Sequence, residues 1–545
     1  MKKTKSIVNI VAALFIVTFG NVSCNDDFLT EVPLDFVSPE NLFTTKEGFE
    51  SAVIGLHAKM RNEVWGALDG QHWFVLPGGF GTDYGYQSRN FTSGMRNNYS
   101  LITSTDAQAM RWWRTSYSLI KDANAILTRL HEPTADAVSA EDKLAIEGQA
   151  RFFRAFAYRI LVYLYGDVPL VVEESREPET GFVRAPKAEV MNLIVSDLEF
   201  ASNQIAASHP YDGFVTKAAA DHLLSEMYIA NERWDDAIAA ASRVIDNSDY
   251  ELMTERFGQH TDKAGDVYWD LFRIGNQNRS SGNKEALFVL QFEWPTPGGG
   301  SETHPRWPGH VAQRAWGPAY FQLRDPNGSP GMTETDSLGR PAGWIRPTFY
   351  LTNLIWQDDW NDMRNSRHNI KRDFWYNNPN SEYFGQKLVS LQDPTDSLFR
   401  YFPYFQKIGH PEGHADGMLT GRNWRDLYVF RLAETYLLRA EAKLGKGDNE
   451  GAAADINVVR ARAMANPITA SDVDIDFILD ERARELVTEE FRLLTLMRLG
   501  KLVERVQRYN PIAGPTIAEH HKYWPIPQEE IDLNFGARLT QNDGY

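Results

Sequence analysis

Cysteine is almost missing: Cys24 is the single one in 545 residues. That excludes a disulfide framework within the chain and any thiolate metal cluster. Positive charge is also short. With 56 Lys and Arg against 73 Asp and Glu, the formal net charge is −17, which argues against a nucleic-acid partner, since phosphate backbones are held by the opposite sign. Beyond the first two dozen residues no run is long and apolar enough to cross a bilayer. Catalytic signatures are lacking too: there is no G-x-S-x-G elbow, no GK[ST] phosphate loop (Gly445-Lys446-Gly447 reads as an interhelical turn) and no H-E-x-x-H. His410 and His414 stand in a proline–glycine loop without a carboxylate pattern and read as surface histidines. Asp325 to Ser329 lacks the ligand spacing of an EF-hand loop. Asp358-Asp359 is the kind of doublet any acidic chain carries, although half of a glycosidase pair would look the same. No catalytic residue, metal site or cofactor is expected.

What the sequence does contain begins at its N-terminus. Lys2, Lys3 and Lys5 precede an apolar run from Ile7 to Phe19 and a small-residue junction, Val22-Ser23-Cys24. This is a signal peptide over 1–23 by its length and flanks. The junction resembles a bacterial lipobox, with Asn21 where that motif usually has Leu, so Cys24 is the expected lipidation site. Acylation there would anchor the chain through buried hydrocarbon, about 0.8 kcal/mol per CH₂.

Helical periodicity dominates most of the remainder. Asn41–Asn62 places Phe49, Val53, Leu56 and Met60 on one side; Thr105–Leu130 and Ala140–Leu164 follow, the latter ended by Gly166-Asp167-Val168-Pro169. Lys187–Ile205 comes next. The pair Lys217–Asn231 and Trp234–Ile245 carries small residues where two helices would cross, with Trp234 just before them, a pattern resembling the tetratricopeptide hairpin. Near the C-terminus, Leu427–Met464 forms a second hairpin broken at Leu444–Asp448. A third helix is expected over Phe477–Val506, with Asp480 paired to Arg484 four residues on. The spacing of these pairs is uneven, which speaks against a regular solenoid.

Two stretches break the pattern. Leu68–Ser104 alternates glycines with Trp73, Phe74, Phe80, Tyr84 and Tyr86 and reads as a long functional loop. Residues 251–425 lose helical periodicity, crowd with turn residues and hold one strand-like run, Ala286–Phe292. Nine of the 15 tryptophans lie there: 269, 294, 307, 316, 344, 356, 360, 375 and 424. An irregular region uses aromatic rings as its own core, so each tryptophan has a structural reading as well as a functional one. Trp307, Trp316 and Trp344 sit among prolines and glycines, where a ring can be presented to solvent. The expected fold is mainly α, tetratricopeptide-like helix pairs forming a scaffold around an irregular aromatic-rich insert with minor β structure. Its divisions would be a helical region at 24–250, the insert at 251–425 and a helical region at 426–545.

A family resemblance rests on Glu147–Ala155 (EGQARFFRA) with Tyr165-Gly166-Asp167-Val168-Pro169-Leu170, on Arg431–Ala442 (RLAETYLLRAEA), on Ile478–Arg492 (ILDERARELVTEEFR), and on the ending Trp524–Ile531 with Leu539–Tyr545. The chain resembles the SusD/RagB family of Bacteroidetes nutrient-uptake outer-membrane lipoproteins over nearly its whole mature length. The resemblance implies an oligo- or polysaccharide ligand, with peptide as the RagB-like alternative and glycan hydrolysis a weaker one. It also implies a SusC-like TonB-dependent transporter as partner and a lipid-anchored, surface-facing position at the outer membrane. Asp26-Asp27 after Cys24 resembles the surface-export signal of such lipoproteins. No family motif marks ligand residues. Trp73, Tyr84, Trp307, Trp316 and Trp344 are expected to bind the ligand on local sequence alone, flat rings suiting the apolar faces of sugars.

Overall fold

The computed structural model describes residues 39–65, 79–89, 97–293, 309–335, 338–389, 395–409 and 423–545, with single residues at 296, 299, 391 and 393. Cys24 and the signal stretch before it, Trp73, Trp307, His410 and His414 lie outside the described residues. Among the described residues no helix is long and apolar enough to cross a membrane.

Helix starts follow local capping chemistry. The Thr45 hydroxyl accepts from the Gly48 amide ahead of α1 (Lys46–Lys59), and the Asp106 carboxylate accepts from Gln108 and Ala109 ahead of α2 (Ala107–Arg129). Ser139 caps α3 (Ala140–Tyr165), which stops at Gly166 with φ 75°. Then come α4 (Lys187–Gln204), α5 (Lys217–Ala230) and α6 (Trp234–Ile245). The C-terminal block holds α7 (Leu432–Lys446), α8 (Asn449–Arg462), α9 (Ile475–Leu486), α10 (Arg492–Arg498), α11 (Leu502–Tyr509) and α12 (Gln528–Leu533). Sequence neighbours pack as pairs, α2 with α3, α3 with α4, α5 with α6 and α7 with α8, and α7 also lies on α6. The small residues expected on α6 are in the core. Ala237, Ala240 and Ala241 of α6 are fully buried, and a Cβ on Gly445 would come within 2.7 Å of the Trp234 ring.

The third C-terminal helix does not run unbroken from Phe477 to Val506. It is α9, α10 and α11, parted at Val487–Phe491, where Thr488 takes φ 68°, and again at Gly500, φ 65°. Charge placement accounts for the first break. Bending there turns Glu489 toward Arg431 and Glu490 toward Arg482 and Arg492. Asp480 pairs with Arg505 at 2.6 Å rather than with Arg484, which bonds Glu481 at 2.9 Å.

Among the described residues the named strands form short antiparallel pairs: β1 (Gly85–Gln87) with β5 (Ile345–Pro347), β2 (Val168–Pro169) with β3 (Arg184–Ala185), β4 (Ala286–Leu290) with β8 (Leu427–Arg431), and β6 (Ile370–Lys371) with β7 (Tyr404–Phe405). The pair β4–β8 is buried along its length and leads directly into α7.

Buried ion pairs fasten the irregular region to the helices. Arg431 reaches Glu285, Glu485 and Glu489, each at 2.8 Å. Arg364 reaches Asp362 at 2.6 Å, Glu481 at 2.8 Å and Glu485 at 3.1 Å. Arg462 joins Glu285 at 2.7 Å and also Glu485. Burial pushes the Glu485 carboxyl up, but the surrounding Arg462, Arg431 and Arg364 charges outweigh it and hold the group well below the usual carboxylate range. Charges so placed are tolerated only as a set, since each would otherwise remain desolvated and unpaired.

Candidate functional site

The glycine-rich loop and the insert meet at the β1–β5 ribbon, whose register sets Gly85 against Pro347, Tyr86 against Arg346 and Gln87 against Ile345. Gly85 is required there. A Cβ at that position would come 2.8 Å from the Ile345 side chain and 3.0 Å from the Arg346 carbonyl oxygen. The pairing continues past the strand ends, the Ser88 amide donating to the Trp344 carbonyl at 3.0 Å and the Ser88 hydroxyl to the Gly343 carbonyl at 2.6 Å. Asn97 returns the chain to the same place. Its side-chain oxygen accepts from the Gln87 amide at 2.9 Å and its Nδ2 donates to the Gln87 carbonyl at 2.8 Å.

Side chains alternate along such a ribbon. Ile345 and Pro347 face inward and are buried, whereas Trp344 and Arg346 share the opposite face and are half-buried. Tyr86, cross-strand from Arg346, belongs to the same face. The Arg314 guanidinium lies 5.1 Å from the Trp344 ring centre, within cation–π range. Arg89 reaches in from the loop and donates to the Ala342 carbonyl at 3.5 Å. Tyr86 itself is buried, so the face can offer a ring edge and several guanidinium donors to a polar, ring-bearing ligand.

Of the five residues expected at the site, Trp344 alone among the described residues keeps a partly exposed ring. Tyr84 and Trp316 are core residues, 1% and 0% exposed, which corrects the expectation that they present their rings to a ligand. The Tyr84 hydroxyl donates to Glu490, and Arg492 packs 4.4 Å from its ring centre while pairing with Asp83 at 2.7 Å. Trp316 supports the ribbon from beneath, its ring edge-on to Phe405 with centres 6.1 Å apart. The glycines beside these two residues mark tight packing: a Cβ on Gly317 would sit 2.5 Å from Pro341.

Sequence reading missed the exposed tryptophans of the insert. Trp360 is 50% and Trp375 45% exposed, with Arg372 4.9 Å from the first ring and Lys371 5.3 Å from the second. The available signal was their polar company, Asp358-Asp359-Trp360-Asn361-Asp362 and Trp375-Tyr376-Asn377-Asn378. Asp359 is taken by Arg460 at 3.2 Å and by the Asn466 amide, and so holds the fold rather than a water for hydrolysis. Asp325 accepts from the Ser381 hydroxyl at 2.6 Å and from the Asn327 and Ser329 amides, each at 3.0 Å, which spends it on a turn. No group of three metal-ligating side chains occurs among the described residues.

Two family models match, one described as the SusD family over residues 346–545 and one as starch-binding, associating with the outer membrane, over residues 81–229. The chain is 26% identical to SusD-like protein P25 of Formosa agariphila over 558 aligned positions, covering 97% of each. It is 32% identical over 145 residues to the starch-binding protein SusD of Bacteroides thetaiotaomicron, a match covering 26% of this chain and 24% of that one. A solved laminarin-binding SusD-like protein superposes with a TM-score of 0.67 at 21% identity, over 92% of this chain and 99% of its own.

Proposed function

Because the chain belongs to the SusD/RagB family, we propose that it is an outer-membrane, surface-facing lipoprotein that binds an oligo- or polysaccharide and hands it to a SusC-type TonB-dependent transporter. The observation that carries the ligand assignment is the β1–β5 ribbon, which sets the base of the glycine-rich loop beside Trp344 and the arginines around it. Relatives named for starch and laminarin binding support a glycan as the ligand class. The basic, apolar and small-residue sequence ahead of Cys24 supports the anchor. The protein acts by binding and release, not by catalysis.

A glycan array run beside a peptide panel tests this directly. Trp344→Ala is expected to weaken binding of whichever glycan the array returns while leaving the melting temperature close to wild type. Trp316→Ala is expected to lose about 3–5 kcal/mol of stability, as core aromatic truncations do. Peptide binding in place of glycan binding, or reducing ends released from bound oligosaccharide, would overturn the reading.

A further inference from the structure

The geometry points to an anionic ligand: we infer that the Trp344 face recognises a glycan bearing carboxylate or sulfate groups. This rests on the glycan reading above and goes one step further, to the chemistry of the sugar. In a chain of net charge −17, this patch runs the other way. Trp344 and Arg346 share one face of β5 by strand alternation. Arg314 stands over the Trp344 ring at 5.1 Å. Arg89 bonds the Ala342 carbonyl two residues before Trp344, and Ala342 in turn donates its amide to the Arg314 carbonyl at 2.8 Å. Arg340 enters from the same segment and meets the Glu334 carboxylate at 2.6 Å.

Arg89 and Arg346 have no carboxylate partner among the described residues. Many buried arginines of this molecule are matched by acids, as Arg154 is with Asp197 and Arg159 with Glu226, both at 2.7 Å, while Arg372 and Arg184 are satisfied by carbonyl and amide oxygens. Like charges gathered in one place raise one another's energy, and an incoming anion relieves it. Arg314 registers that crowding: burial first, then the Arg340 and Arg89 charges, push its guanidinium below its ordinary value. Guanidinium groups suit the purpose because their planar donors fit both carboxylate and sulfate oxygens, while the Trp344 ring can stack on the sugar's C–H face.

The test uses matched probes that differ in charge. Short oligogalacturonides are compared with their methyl-esterified forms, and sulfated galactan oligosaccharides with their desulfated forms, by calorimetry at low and moderate salt. At least one charged probe is expected to bind about tenfold more tightly than its neutral form, with the difference shrinking as salt rises; which pair responds tells carboxylate from sulfate. Arg89→Gln with Arg346→Gln is expected to abolish the difference, and Arg89→Lys with Arg346→Lys to retain part of it, all melting near wild type. Equal binding of charged and neutral forms overturns this inference and leaves glycan binding standing. A charge preference that survives the double Gln variant overturns its assignment to this face. Failure of every glycan on the array, charged or neutral, overturns the glycan reading and this inference together.

Discussion

Asp426 is a carboxylate held where a neutral acid is better accommodated. Its two oxygens accept from the Asn278 side chain at 2.8 Å and the Phe292 amide at 2.7 Å. Burial pushes the group up to about 7 against those bonds, with Asp212 adding to the rise. The sign of its contribution follows from linkage. An unfolded Asp ionises near pH ~3.9, so between there and about pH 7 the unfolded chain gives up a proton that the folded chain keeps. Stability from this group is therefore full below that window and falls as pH rises through it, by up to roughly 1.4 kcal/mol per unit of separation. Asp426→Asn keeps an acceptor and a similar shape but cannot ionise. It is expected to melt close to wild type at pH 4 and above it at pH 8, and parallel melting curves at both pH values would contradict the assignment.

At the scale of the element, the α5–α6 pair is the sharpest test of the helical scaffold. Ala237 is fully buried there, so Ala237→Leu adds volume that nothing can yield to, and a loss of about 1–3 kcal/mol is expected in thermal or denaturant melts. This crossing was readable from sequence because it depends on periodicity and small residues, which are local signals. α6 keeps the expected bounds, Trp234–Ile245. The break after α9 was not readable, because Thr488 carries no mark of its positive φ and the reason for the bend lies on Arg431, far away in sequence. Leu427–Arg431, expected to open a helical hairpin, is instead a strand, and the partner that pairs with it, β4, is equally remote in sequence. In the site, Tyr84 and Trp316 misled because a glycine allows two things, exposure of a neighbouring ring and close approach of the backbone, and here the second prevails. Trp344 shares that kind of neighbourhood, and the direction of its side chain follows from strand alternation, which emerges only once β5 has its partner.

For the whole molecule, the insert and the helical blocks share one set of charges. Arg364 and Glu285 come from the insert, Glu481 and Glu485 from α9, and Arg431 and Arg462 from β8 and α8. Separating the parts would strand several of these groups in a poorly hydrated interior at once, each at a cost of several kcal/mol. Calorimetry is therefore expected to give one cooperative transition, with calorimetric and van't Hoff enthalpies in agreement. Two resolved transitions would mean that the insert and the scaffold unfold independently. The ribbon beside Trp344 is organised otherwise. Asn97 and Gln87 are clasped to each other by paired amide bonds, so the place where the chain rejoins the ribbon is pinned by neutral, local contacts that neither salt nor pH loosens.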